Sequence, residues 1–280
     1  MRFKAAIIAC LLSAAAPSAA QDEASDLTKL LTAYDARGWE AVGRLNIGYG
    51  GMCTGALIST KHVLTAGHCL FNKRTGVRMD PSAITFHAGW RNNRATATRR
   101  IRRAIVHPHY EFSGRETTAS GSEVAVDLAL LELDSEIRLS NVEPFGTGPR
   151  PRKGQQVGVV SYAQHREESP SIQEVCHVLA RQRGVLVLSC DVDFGSSGAP
   201  IFSFNDGKPQ IVSVVSAMAE SRGRQVSLGT NLQQPLEELM EIMNSGGGVV
   251  ASSEPKVVSA EKPGIIRRTN GTGGAKFVRP

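Results

Sequence analysis

The chain has 280 residues, with 32 Lys and Arg against 26 Asp and Glu, for a formal net charge of +6. Past the first 20 positions no apolar run approaches the roughly 20 residues a membrane-spanning helix needs, which excludes a later span of that kind. The positive excess gathers at Arg91, Arg94, Arg99, Arg100, Arg102 and Arg103. Such a cluster fits an anionic surface as partner. The plainer reading is a solvated, Arg-rich strand with its preceding loop, and no interleaved aromatics support nucleic acid.

In chain order, Arg2 and Lys4 precede an apolar stretch from Ala5 to Ala16 and small residues at Ser18-Ala19-Ala20. This is the pattern of an export signal, so residues 1–20 are expected to be cleaved and the mature protein secreted, to a periplasm or the medium. Too little apolar sequence precedes Cys10 for a lipoprotein anchor. Residues 21–37 are polar, with little periodicity, and read as a pro-segment or N-terminal arm. From Trp39 short β-rich runs alternate with Gly, Pro, Asn and Ser. They include Ala41 to Ile47, Ile84 to His87, Ile101 to Val106, Gln156 to Val160, Gly184 to Ser189 and Gln210 to Val215. Many short strands with few helices point to an all-β barrel or sandwich, and about 205 residues suffice for two small barrels. Leu232, Leu236, Leu239, Met240 and Met243 share one helical face, with Pro235 near the first turn. From Ser245 to Pro280 Gly, Ser, Pro and basic residues dominate, and the segment reads as a flexible basic tail.

Loss of the signal leaves Cys53, Cys69, Cys176 and Cys190. An even count in an exported chain implies disulfides, with three pairings open. Without a Cys-x-x-Cys pair the spacing is wrong for zinc. His107-Pro108-His109 offers two imidazoles as a metal pair but reads more simply as a strand end. His62, His87, His165 and His177 are scattered. No metal or cofactor is expected.

Three stretches carry chemistry. Thr65-Ala66-Gly67-His68-Cys69 sets a histidine beside a cysteine. Asp127-Leu128-Ala129-Leu130-Leu131 sets a carboxylate at the head of an apolar run. Gly195-Ser196-Ser197-Gly198-Ala199-Pro200 sets serines among glycines. A serine is a poor nucleophile until a base takes its proton and a third group orients that base. A carboxylate in apolar surroundings needs a partner, and His68 is the obvious one for Asp127; Asp80 and Asp134 lie in polar, turn-like contexts.

On these motifs, in the order His, Asp, Ser, the stretch from about Trp39 to Met243 resembles the trypsin/chymotrypsin-like serine peptidases, in particular short secreted bacterial members. The resemblance implies two six-stranded antiparallel β-barrels over residues 38–244, ending on a helix packed against the second barrel. It implies His68, Asp127 and Ser197 as catalytic residues, with Ser196 as the rejected neighbour and the amides of Gly195 and Ser197 as oxyanion hole. It also implies the disulfides Cys53–Cys69 and Cys176–Cys190, each contributing roughly 3 kcal/mol. Asp191 stands where trypsin-like members place the acid that binds Arg or Lys, although the pocket loop is shortened here. Ser216-Ala217-Met218 stands where the substrate backbone pairs. The family usually has aspartate at the position of Ser196, where it meets a newly cut amino terminus, so activity without that cut is expected. A protein or peptide substrate and a monomer follow. Two other readings remain open: a non-catalytic binding protein on the same fold using its Arg-rich face, and a glutamyl-specific endopeptidase.

Overall fold

The computed structural model describes residues 24–48, 50–114, 120–204, 207–221 and 223–252. The expected export signal and most of the expected basic tail lie outside the described residues. A two-residue strand, β1 (Thr28–Lys29), precedes five strands: β2 (Val42–Ile47), β3 (Gly51–Leu57), β4 (His62–Thr65), β5 (Ile84–Ala88) and β6 (Ala97–Val106). A short helix, α1 (Gly121–Ala125), then leads into β7 (Ala129–Leu133). Antiparallel pairing in the order β2-β3-β4-β7-β6-β5, with β5 returning to β2, closes the first barrel. The second is built from β8 (Gln156–Ala163), β9 (Arg166–Gln182), β10 (Val185–Leu188), β11 (Pro200–Ser203), β12 (Gln210–Ser221) and β13 (Arg224–Gly229). Its order β8-β9-β10-β13-β12-β11 closes through β11 onto β8. Closure removes the unpaired edges that an open sheet leaves.

Alternation explains why these segments are strands. In β5 the side chains of Ile84, Phe86 and Ala88 point inward and are buried, while Thr85 and His87 between them are partly exposed, the two-residue period of a pleated strand. β7 is buried along its whole length, including Glu132. That carboxylate is tolerated because Lys61 Nζ lies 2.6 Å and Arg103 Nε 2.8 Å from it, as a buried charge requires. Arg103 is thereby committed, and Arg99 donates to the carbonyls of Thr98, Ser135 and Glu136. With Arg102 Nη1 also 3.8 Å from Glu132 Oε1, three of the six clustered arginines contact barrel groups. Trp39 packs on Phe202 at 5.1 Å and Phe202 on Phe145 at 4.8 Å between ring centroids, an aromatic seam between the two halves.

Two features depart from the sequence expectations. The C-terminal helix, α2 (Gln233–Asn244), buries Leu236, Leu239 and Met243 but packs against β6 and β7 of the first barrel, not against the second. His107 at the end of β6 reinforces this with its Nε2 3.0 Å from Glu238 Oε2. An amphipathic stripe says that a helix must be covered, not by what. Residues 245–252, expected as the start of a flexible tail, have defined structure. Beyond α2, β14 (Val249–Val250) pairs with Arg103 and Ala104 of β6, and the Ser252 hydroxyl donates to Asp80 at 2.7 Å. Backbone pairing with an existing edge needs no apolar period, so composition could not reveal it. The expected N-terminal arm is docked on the second barrel from Ser25 to Leu30. β1 pairs with Ser171 and Ile172 of β9, and Leu30 is buried.

Candidate active site

His68 lies in a 3₁₀ turn, Gly67–Leu70, directly after β4. The disulfide from Cys69 to Cys53 fastens this turn to β3. Asp127 stands between α1 and β7, 2% exposed. The entry to α1 is specified by a capping box, in which Ser120 accepts from the Glu123 amide and Glu123 from the Ser120 amide. The two residues meet at two points: the His68 amide donates to Asp127 Oδ1 at 2.8 Å, and His68 Nδ1 lies 2.6 Å from Oδ2. A third donor comes from the other barrel, the Ser216 hydroxyl on β12, 2.5 Å from Oδ2. An imidazole that donates from Nδ1 keeps its lone pair at Nε2 while neutral, as a general base requires.

Ser197 and His68 line the same cleft, of about 670 Å³, between the barrels. The turn that carries Ser197 is shaped by Gly195 at φ +97° and Gly198 at φ +79°, the left-handed region. A Cβ on Gly198 would run into Thr65 Oγ1 and the Thr54 carbonyl, and one on Gly195 into Met52. Neighbouring elements hold the turn: the Thr54 amide donates to the Ser197 carbonyl at 2.9 Å, and Thr54 Oγ1 to the Gly195 carbonyl at 3.0 Å. Among the described residues no protein acceptor takes the Gly195 or Ser197 amide. Ser196 differs from its neighbour: it is fully buried, and its hydroxyl contacts Ser161, Arg166 and the Asp193 amide.

The residues expected to bind substrate fare differently. Asp191 is exposed and is not part of the cleft lining. Its amide is held by Gln173 Oε1 at 2.7 Å, which ties this part of the shortened loop to β9; Val192 and Asp193 reach the cleft instead. Ser216 lines the cleft, but its hydroxyl is committed to Asp127. The second disulfide, Cys176–Cys190, braces β9 against the segment leading to Ser197. Asp80 caps a 3₁₀ turn and Asp134 is exposed, so neither approaches His68 as Asp127 does. His107, His109 and Glu238 bring ligand atoms within 4.8 Å of one another, beside the middle of α2. Sequence reasoning missed Arg166, Ser161 and Thr54. They lie in an ordinary polar hairpin or strand, with no spacing signal to single them out.

Two closed six-stranded antiparallel barrels that meet at a cleft are the architecture of the chymotrypsin-like serine endopeptidases, and this chain is one of them. A family model, Trypsin, matches residues 32–234, and the chain belongs to that family. Among solved structures it is similar to a Glu endopeptidase in complex with MPD, 19% identical over 80% of this chain and 97% of that one, with a TM-score of 0.60. At that identity the likeness concerns the fold.

Proposed function

We propose that this chain is a secreted endopeptidase whose catalytic residues are Ser197, His68 and Asp127. The observation that carries the reading is the double anchoring of His68 to buried Asp127, with Ser197 on the same cleft. Ser197 Oγ attacks the scissile carbonyl while His68 Nε2 takes its proton. The amides of Gly195 and Ser197 stabilise the resulting oxyanion, and a donor of this kind is typically worth about 10²–10³ in rate. His68 then protonates the departing amine, and a water molecule repeats the sequence to release the acyl group. Asp127 keeps the imidazole in register and stabilises its cationic form. Secretion is supported by the N-terminal pattern and by two disulfides, which suit an oxidising compartment.

The cleft chemistry favours an apolar or basic residue, not an acidic one, on the acyl side of the cut bond. Val192, Val215, Ala217 and Met218 line it, and the charged groups added by Glu123, Asp193 and Glu220 are all acidic. This arrangement argues against glutamyl specificity, since like charges repel in a partly desolvated cleft. A fluorophosphonate should label the mature protein at Ser197, and Ser197→Ala should abolish both labelling and peptide cleavage with the fold intact. Cleavage by Ser197→Ala at the wild-type rate would refute the assignment. A peptide-library profile dominated by Glu would overturn the specificity.

A further inference from the structure

The turn bearing Ser197 rests on a half-buried cation. Arg166 opens β9 beside the tight turn of the β8–β9 hairpin and engages the Ser197-bearing turn with a forked set of hydrogen bonds. Its Nη1 donates to the Ser161 carbonyl at 2.7 Å. Its Nη2 donates to Ser161 Oγ at 3.0 Å and to Ser196 Oγ at 3.1 Å. Ser196 completes the knot: its hydroxyl accepts from the Asp193 amide at 3.3 Å and donates to Ser161 Oγ at 3.3 Å. The Ser196 amide in turn donates to the Asp193 carbonyl at 2.9 Å. Ser196 is flanked by the two residues whose amides face no protein acceptor, so whatever fixes Ser196 also fixes their direction.

The physical demand at this place is strict. A turn with Gly195 in the left-handed region has other conformations open to it, because glycine carries little steric restraint. A hydroxyl fully out of water contributes only if its partners are supplied. A guanidinium suits that task better than an ammonium: its planar fork engages two acceptors at once and it stays charged when buried. Asp191 and Asp193 lie close enough to act on the charge of Arg166 electrostatically.

We infer that Arg166 is a positioning residue that acts through Ser196 and Ser161, holding the Gly195–Ser197 turn so that both amides point at the oxyanion. The clamp is internal to the second barrel, so the turn is set without help from a new amino terminus. The inference rests on the peptidase reading, and deepens it by naming what keeps that site competent.

The test compares wild type, Arg166→Ala and Arg166→Lys on one chromogenic peptide, with a peptide boronic acid as probe of the tetrahedral state. The loss of aligned oxyanion donors predicts that Arg166→Ala lowers kcat by about 10²-fold, with KM within about threefold. Boronate affinity should fall in parallel, and millimolar methylguanidinium should restore part of kcat. Arg166→Lys keeps the charge but not the fork, and should lose at least about tenfold in kcat with an unchanged melting temperature. If Arg166→Ala does not fold, Arg166→Lys carries the test by the same split. Wild-type kcat and boronate affinity in the folded variant would overturn the inference while leaving the peptidase reading intact. A wild-type protein that neither cleaves peptide nor takes fluorophosphonate would overturn that reading first.

Discussion

Replacing Asp127 with asparagine removes one charge and turns one acceptor into a donor, and the surroundings of the carboxylate decide the consequence. Oδ1 accepts from the His68 amide, and Oδ2 faces both His68 Nδ1 and the Ser216 hydroxyl. An asparagine keeps its carbonyl toward the backbone amide, because the reverse orientation would set two buried donors face to face at a cost of about 1–3 kcal/mol. Its NH₂ then points at Nδ1. The imidazole answers by carrying its proton on Nε2, where it cannot accept the proton of Ser197. Recovering the productive tautomer costs the reversal. Losing the charge-assisted hydrogen bond to the imidazolium adds about 1.5–3 kcal/mol. The sum, about 2.5–6 kcal/mol, corresponds to a loss of about 10²–10⁴-fold in kcat/KM. Steady-state cleavage of a peptide substrate measures it, with thermal unfolding as the control. Stability should hold or rise, since the variant no longer buries that charge. Activity within about tenfold of wild type, in a folded variant, would refute the reasoning.

Two further outcomes follow from the charges and the chain end. Burial lowers the pKa of His62, His87 and His107, so each contributes stability above its unfolded value of about 6.5 that is lost as pH falls through the lowered one. Carboxylates extend that loss further into acid. Burial pushes Asp80 up, but hydrogen bonds from Ser252 and Ser82 outweigh it and hold its pKa at about 2. Burial likewise opposes, and the bonds from Lys61 and Arg103 override it, in keeping Glu132 below its usual range. Urea midpoints should therefore decline steadily from pH 7 toward pH 3; a flat profile would contradict the assignment. A chain ending at Ser252 should melt like the full chain. One ending at Ser245 loses β14 and the bonds to Asp80, together about 1–3 kcal/mol, at about 2–4 °C per kcal/mol. Equal melting temperatures for the two truncations would show that β14 contributes nothing.

How much was legible depends on how local the signal is. The runs Ala41 to Ile47 and Ile84 to His87 read as strands from their alternation, and the structure has strands at Val42–Ile47 and Ile84–Ala88. β9 does not read so, since Arg166 to Gln173 contains a proline and a run of polar residues. Its buried Gln173 is satisfied by the Ser25 carbonyl and the Asp191 amide, partners 148 and 18 residues away in sequence. No window around Gln173 contains that information. Asp191 is likewise placed by a partner outside its own window, since Gln173 ties its amide to β9.

By itself the sequence determined the parts: a histidine beside a bridging cysteine, an aspartate leading an apolar strand, and a serine between glycines that only a left-handed turn requires. Side-chain chemistry and short-range pattern suffice for those, because each is decided within a few residues. The tertiary structure alone decided that Ser216 supports Asp127 from 89 residues away, that Arg166 clamps Ser196 across 30, and that α2 covers the first barrel. Such contacts arise when two sheets close and their side chains compete for buried space and hydrogen-bond partners. That competition is a property of the packed whole, and no segment carries it alone.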